Sequence, residues 1–338
     1  MSKLLGIDIG ESSVKLVCFQ NKKLTKAVSV PMTADIVSDG KILSASAVAD
    51  ILRNTAKMNK IPLVHSAVVL NADDSFVRTV TMPLMNKKQF LYNLPFEFND
   101  FLTEGKENYF FDHSFRRIIE NEEGAPEKME LLACATHKTT VAGYRAMLRR
   151  ARMRAKVLVP AESSFGALIG AHIAKEDEQP KDRCIVDLGS RTTNIYIFHG
   201  EDFDTSRTVD LGMAEFERIM AEKLRSDKAS IREEIKKGEK EVVCSDHALD
   251  FYTRLAGDIV RAVNFYNYSN RERELSEIYL CGGGAGIVQL CNTIKETTRL
   301  GVLSAEELLP EEYRPETEVW RYIRAISGVL ECYRGGKK

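Results

Sequence analysis

The sequence predicts an α/β protein made of two related halves, the first interrupted by a small α+β insertion. Three observations carry this reading. Residues 6–19 (GIDIGESSVKLVCF) recur in degenerate form as residues 186–198 (VDLGSRTTNIYIF). Superposing Asp8 on Asp187 aligns Gly10 with Gly189, Ser13 with Thr192 and Phe19 with Phe198. Around both copies, short apolar runs alternate with stretches of helical period, the pattern of sheets covered by helices. Residues 76–135 depart from it, with aromatic and apolar runs separated by polar loops that read as antiparallel strands.

The bulk numbers bound the problem. A chain of 338 residues has room for about two domains, and 44% hydrophobic with 29% charged residues is an ordinary composition able to bury real cores. A formal net charge of −1 gives no global case for nucleic acid as a partner. No apolar run approaches the roughly 18–20 residues needed to cross a bilayer. Met1 leads directly into the first repeat, so the expectation is a cytoplasmic chain with no signal peptide and no direct membrane insertion. Five of the seven cysteines sit in apolar runs, no Cys-x-x-Cys occurs, and the six histidines lack metal-ligand spacing. All are expected to be structural.

The elements follow in order. Each repeat reads as strand, turn and strand, and residues 24–30 add a third strand to the first. Residues 45–58 have a helical apolar period, and 66–70 read as a buried strand. A strand at 76–82 is stopped by Pro83, and a helix is expected at 87–102. Strands at 109–119 and 129–135 flank the polar loop 120–128. A helix at 139–152 and a strand at 155–159, stopped by Pro160, complete the expected insertion. A linking helix at 161–174 and polar residues 175–182 lead to the second repeat. Helices then follow at 214–224 and 245–267, separated by the charged segment 225–241, of which 227–241 is expected to be an exposed helix bearing i,i+4 pairs. A strand at 277–281 ends in Gly282-Gly283-Gly284, with a helix from about 285 and a last one at 319–333. The expected domains are 1–75 (first half), 76–159 (insertion), 160–182 (connecting helix and return), 183–318 (second half) and 319–338 (closing helix).

Two facing hairpins of this type suit a polyphosphate and its metal. Glycine turns let backbone N–H groups point inward, and hydroxyls add donors. Gly10, Ser12 and Ser13 fill these roles in the first hairpin, and Gly189, Ser190 and Thr192 in the second. Asp8 and Asp187 are the candidate Mg²⁺ carboxylates. Lys15, alternating with Ser13 on the return strand, is placed to reach the phosphates. Gly282, Gly283 and Gly284, after a strand and before a helix, suit close backbone approach to a flat ligand or a phosphate. The run matches neither the Walker A nor the dinucleotide fingerprint.

These features together resemble the actin/hexokinase/DnaK-type ATPase superfamily, and within it the PilM-type pilus-assembly family, with the cell-division actin FtsA second. The resemblance covers almost the whole chain. It implies an actin-like two-domain ATPase fold, of duplicated ribonuclease-H-like domains with an inserted small α+β subdomain. Residues 6–17 resemble the phosphate-1 motif, 186–197 phosphate 2 and 279–287 the adenosine motif. Residues 160–170 and 325–333 resemble the two connecting helices. Glu233 and Lys236 resemble the Glu-x-x-Lys pair that touches adenosine from the other side, and Gly212 the turn beside it. Residues 76–83, 96–102, 131–135 and 157–160 resemble the PilM-type small subdomain. The cofactors implied are ATP and Mg²⁺.

Two positions depart from the superfamily. The Glu or Gln that orients the attacking water falls on Val159, which cannot polarise water. Glu162, one turn on, is the candidate substitute, and no other catalytic residue is assigned. Glu11 places a carboxylate where small hydroxyl residues are usual, either pointing outward or weakening ATP binding.

The resemblance implies an ATP-binding adaptor of a type IV pilus-type assembly machine, with ATP hydrolysis weak or absent. Its partner would be the cytoplasmic N-terminal peptide of a PilN-like inner-membrane protein, seated between the insertion and the first domain. Other pilus-assembly components and self-association are further possible partners. The protein would sit at the inner face of the cell membrane through those partners. An FtsA-like protein is disfavoured because the chain stops at residues 334–338, with no amphipathic anchor after the last helix. A small-molecule kinase of the same superfamily and a nucleotide-free scaffold remain as alternatives. Among other features, the aromatic set Phe90, Tyr92, Phe96, Phe98 and Phe101 reads as core, part of it available to line a peptide groove. The basic cluster 145–154 reads as a solvated helix end.

Overall fold

The computed structural model describes residues 3–176, 179–273 and 275–335. Residues 177–178 of the expected polar link, Met1 and the last residues of the expected C-terminal stop, 336–338, lie outside the described residues. The chain opens with an antiparallel meander, β1 (Lys3–Ile9), β2 (Ser13–Gln20) and β3 (Lys23–Pro31), followed by a short hairpin, β4 (Val37–Ser38) with β5 (Lys41–Ile42). Helix α1 (Ala45–Met58) starts at Ser44, whose hydroxyl accepts from the Ala47 N–H. Its Val48, Ala49, Leu52 and Ala56 recur every three or four residues and are buried, which holds it on the sheet. It leads to β6 (His65–Val69), parallel to β1.

The insertion then forms its own antiparallel sheet from β7 (Ser75–Pro83), β8 (Tyr109–Glu120) and β9 (Pro126–His137), with β9 in the middle. Between β7 and β8 lies helix α2 (Lys87–Asn93), begun by an Asn86–Gln89 capping box. The helix expected to reach residue 102 stops at Asn93. Pro95 has no N–H to continue the ladder, and Leu94–Phe98 tightens into a 3₁₀ turn. The expected insertion, 76–159, also runs too far. Helix α3 (Lys138–Arg150) packs on α1, and β10 (Arg154–Val159) pairs in parallel with β6. The sheet order therefore ends the insertion at His137 and returns 138–159 to the first half.

Helix α4 (Ala161–Glu176) crosses to the second half. There β11 (Asp182–Leu188), β12 (Thr193–His199) and β13 (Asp202–Val209) repeat the meander. Helices α5 (Met213–Leu224), α6 (Lys228–Lys237), α7 (Lys240–Val243) and α8 (Asp246–Ser269) lead to β14 (Glu277–Cys281), parallel to β11. The charged segment expected as one helix breaks at Gly238, whose φ of +70° is the left-handed cap of α6. Its ion pair, Glu233 with Lys236, is spaced i,i+3. Gly283–Gly286 is a 3₁₀ turn, so the helix expected from 285 is α9 (Val288–Thr298). After β15 (Gly301–Ser304), a turn at Val319–Arg321 precedes α10 (Ile323–Gly335), which returns to the first half.

The two five-stranded sheets have equivalent orders, β3-β2-β1-β6-β10 and β13-β12-β11-β14-β15. The duplication extends to register: Ile9 faces Val14 as Leu188 faces Thr193, and Asp8 faces Lys15 as Asp187 faces Asn194. Helices α4 and α10 cross between the sheets in a shared apolar core that includes Val159, Phe165, Leu168, Ile326 and Val329. At their contact the buried Ser327 and Ser164 hydroxyls are 3.2 Å apart. Gly6 lets α10 lie directly on β1, because a Cβ there would collide with the Ala325 carbonyl oxygen.

A second bridge joins the insertion to the second half. Arg116 of β8 is nearly buried and lies 3.7 Å from Glu130 and 3.6 Å from Asp202. It also donates to Thr79 Oγ1 at 3.0 Å and to the Phe203 carbonyl. Of the aromatic set, Phe90 and Phe98 are buried, whereas Tyr92, Phe96 and Phe101 are exposed. Among the described residues no helix is long and apolar enough to cross a membrane. The cysteines are free thiols. Burial pushes the thiol of Cys184 up to about 12 and those of Cys134 and Cys291 up to about 11, so these three are not nucleophiles at neutral pH.

Candidate nucleotide site

The hairpin turns of the two halves face each other across a cleft of about 530 Å³, within the range of small-ligand sites. Gly10, Ser12, Ser13 and Lys15 line it from one side, and Gly189, Ser190 and Thr192 from the other. Gly282, Gly283, Glu233 and Lys236 line its far end. The sequence motifs therefore converge on one place. Two glycines do something else. Gly212 and Gly284 do not line the cleft, and a Cβ on either would strike the chain around it. For Gly212 the obstacle is the backbone of Ser190 and Arg191, and for Gly284 it is Leu188 and Met213. They let α5 and the Gly-rich turn close on the second hairpin. Gly282 (φ +83°) lines the cleft while passing tightly over Asp187, and Gly283 has open space where a Cβ would go.

At the floor, Asp8 and Asp187 are buried. Lys15 Nζ lies 3.2 Å from Asp8 Oδ2, as the facing register dictates. Between the two carboxylates stands Arg324, from the first turn of α10. Its Nη1 is 3.2 Å from Asp8 Oδ1 and 3.7 Å from Asp187 Oδ2. Its Nη2 donates to the Leu70 carbonyl at 2.9 Å. Burial favours the neutral acid at both aspartates, but Arg324 and Lys15 outweigh it at Asp8 and hold that carboxyl below its ordinary value. At Asp187 burial wins, helped by the Asp8 charge, and the carboxyl is raised despite Arg324 and Lys15.

Mg²⁺ commonly takes one or two carboxylates together with waters and substrate phosphates. As arranged, the two aspartates expected to hold it hold Arg324 instead. Among the described residues no group of three or more His, Cys, Asp or Glu is placed to bind a metal. The donor set does not fit a divalent ion and the guanidinium together.

A second arginine pairs across the cleft. Arg191, in the turn of the second hairpin, pairs with Glu11 at 3.7 Å and with Asp73. Glu11 lines the cleft and also accepts from the Gly40 N–H at 2.6 Å, so its carboxylate is engaged by protein partners there. At the far end Arg232 grips the buried Glu217 through Nε (2.9 Å) and Nη2 (2.6 Å). Trp320, the one tryptophan of the chain, lines the cleft with its Nε1 buried and without a hydrogen-bond partner. Sequence reasoning missed Arg324, Arg191, Trp320 and the Glu217–Arg232 pair. None belongs to a repeat or a glycine motif except Arg191, and its side chain acts on the opposite half.

Val159 is buried in the core beneath α10 and does not line the cleft. Glu162 lies in an adjoining cavity of about 220 Å³, with Arg78 and Phe101 of the insertion and Ser206 of β13. No carboxylate at 159 or 162 is therefore placed in the cleft to orient a water. Burial raises the Glu162 carboxyl above its ordinary 4.5, only partly opposed by its own backbone N–H and by Arg324. The folded state then binds this proton more tightly than the unfolded chain, and stability is lost as pH rises through the folded-state value. Glu162→Gln is accordingly expected to raise the unfolding midpoint at neutral pH. The gain should vanish towards pH 4.5, as read from urea midpoints across pH.

A family model described as type IV pilus assembly protein PilM matches residues 6–314. The chain belongs to the PilM family. This selects PilM over the FtsA-like alternative. Among solved structures, the chain is similar to one from a PilM–PilN type IV pilus biogenesis complex, with TM-score 0.81 at 19% identity over 98% of each chain. It is also similar to the ethanolamine utilization protein EutJ of Carboxydothermus hydrogenoformans, with TM-score 0.62 at 12% identity over 98% of this chain and 90% of that one. MreB5 of Spiroplasma citri, bound to ADP, follows with TM-score 0.56 at 12% identity over 100% and 98%. No curated protein sequence matches the chain. At these identities the structural likeness establishes the fold, that of the actin-like ATPases, and PilM members share it.

Proposed function

We propose that the chain is an adenine-nucleotide-binding adaptor of a type IV pilus assembly machine. In this reading it holds ATP or ADP in the cleft and the cytoplasmic N-terminal peptide of a PilN-like inner-membrane protein on its insertion side. That partner would keep it at the inner face of the membrane. The observation that carries the nucleotide reading is the convergence of both hairpins, Lys15 and the Gly282–Gly283 turn on one cleft. Glu233 and Lys236, paired at 2.6 Å at the far end, are the proposed adenosine contacts. The peptide reading is supported by the family and by the exposed Leu91, Tyr92 and Phe96 on and just after α2. With Val159 in the core and Glu162 in the adjoining cavity rather than in the cleft, the proposal is nucleotide holding rather than rapid turnover.

Trp320 gives the test its readout. ATP and ADP titrations should change its fluorescence saturably. Lys15→Met should weaken binding about ten- to a hundredfold, matching the roughly 1.5–3 kcal/mol of a hydrogen bond to a charged group. Calorimetry silent for ATP and ADP, in wild type and variant alike, would remove the nucleotide reading. It would favour a nucleotide-free scaffold, a second reading that the cross-cleft Arg191 and Arg324 pairs already support. Capture by the immobilised partner peptide, lost on Tyr92→Asp, tests the adaptor role.

A further inference from the structure

We propose that Arg324 is the cation of the phosphate clamp, so that a nucleotide's polyphosphate binds here without a divalent metal ion. The inference rests on the nucleotide reading above and specifies the ligand's form, a metal-free nucleoside polyphosphate.

The guanidinium occupies the position between the aspartates and is fixed from both halves, by Asp8 and the Leu70 carbonyl on one side and Asp187 on the other. The helix that carries it is seated on β1 at Gly6 and on β6 at Gly328, where a Cβ would press on Val69. The backbone from which Arg324 extends is therefore held close to the carboxylates of the first sheet. Arg324 cannot yield by losing its proton, since guanidinium stays charged in proteins. Burial opposes its charge, yet Asp8 and Asp187 outweigh burial and favour the charged form further.

Charge balance points the same way. Asp8 and Asp187 contribute two negative charges, and Arg324 and Lys15 two positive ones. A divalent ion on the same carboxylate oxygens would face the guanidinium at contact distance, where like charges disfavour each other. Meanwhile Arg324 lines the cleft, and its Nε has no hydrogen-bond partner. The planar fork, whose side chain keeps 15% exposure, has N–H groups that suit a phosphate oxygen. Without a metal bridging the β- and γ-phosphates, the charge that develops on phosphoryl transfer lacks its usual neutralisation. ATP and ADP are then held as ligands.

The experiment is a calorimetric titration of the full chain with ATP in excess EDTA and again in excess Mg²⁺. Equal affinity in the two, or tighter binding in EDTA, is the expected result. Asp187→Asn adds a second arm. It should tighten binding in EDTA, because it removes a negative charge that repels phosphate and leaves Arg324 one carboxylate fewer to neutralise. Binding that needs Mg²⁺, about tenfold or more weaker in EDTA and lost in Asp187→Asn, overturns the proposal and restores the aspartates as metal ligands. Absence of binding under both conditions overturns the nucleotide reading itself, and this inference with it.

Discussion

Arg324→Met is expected to lower the stability of the fold by about 3–5 kcal/mol, the usual cost of leaving a buried charge without its partner. Asp8 and Asp187 would then face each other with Lys15 as the remaining nearby cation, and Lys15 reaches only Asp8. Burial already raises the Asp187 carboxyl, and losing Arg324 removes the larger of the two charges that oppose that rise, leaving Lys15. The variant should take up a proton at the site, so its deficit should shrink as pH falls. Urea midpoints of wild type, Arg324→Met and the double variant Arg324→Met/Asp187→Asn give a direct check. The second substitution should restore part of the loss, since the two sites are coupled. A fully additive loss would mean that Asp187 and Arg324 do not interact.

Gly6→Ala should be nearly as damaging, at about 3 kcal/mol, the upper end of overpacking effects. The added methyl meets the Ala325 carbonyl oxygen as well as Val17 and Val329. Neither backbone can give way alone, so α10 must lift from β1. Arg324 immediately precedes Ala325, so the same lift draws the guanidinium from Asp8. The variant should therefore lose midpoint in urea and lose nucleotide affinity together. Gly283→Ala is the control, because its Cβ would have open space and its stability should stay within about 0.5 kcal/mol of wild type. A stable Gly6→Ala protein would show that the helix is not seated as closely as described.

Much of the architecture was legible because it is written locally and twice. The hairpins predicted from residues 6–19 and 186–198 form with identical register, since glycine turns and flanking apolar runs fix both pairings without help from elsewhere. The errors came where partners are distant. Residues 138–159 have clear helix and strand patterns, but periodicity does not say that β10 will pair with β6 rather than with the insertion. Pro95 ends α2 because it has no N–H to donate, although the apolar period runs on past it. Gly212 and Gly284 make room for neighbouring chain rather than lining the cleft, and a glycine that admits a ligand and one that admits other chain atoms look alike in sequence. Arg324 was invisible for a related reason. An arginine near the start of a terminal helix gains its role only when that helix lands on the carboxylates of two other strands.

The buried Arg116 has a mechanical consequence. The insertion is covalently part of the first half, yet this side chain ties it to the acceptors Asp202 and Phe203 of the second. A hinge rotation about the Ser164–Ser327 crossing must either pull Arg116 from that strand or carry the insertion along. Interdomain angle and insertion position then behave as one coordinate rather than two. A ligand of the insertion that shifts this coordinate would also shift the cleft, and by thermodynamic reciprocity a cleft ligand would act equally on the insertion's occupant.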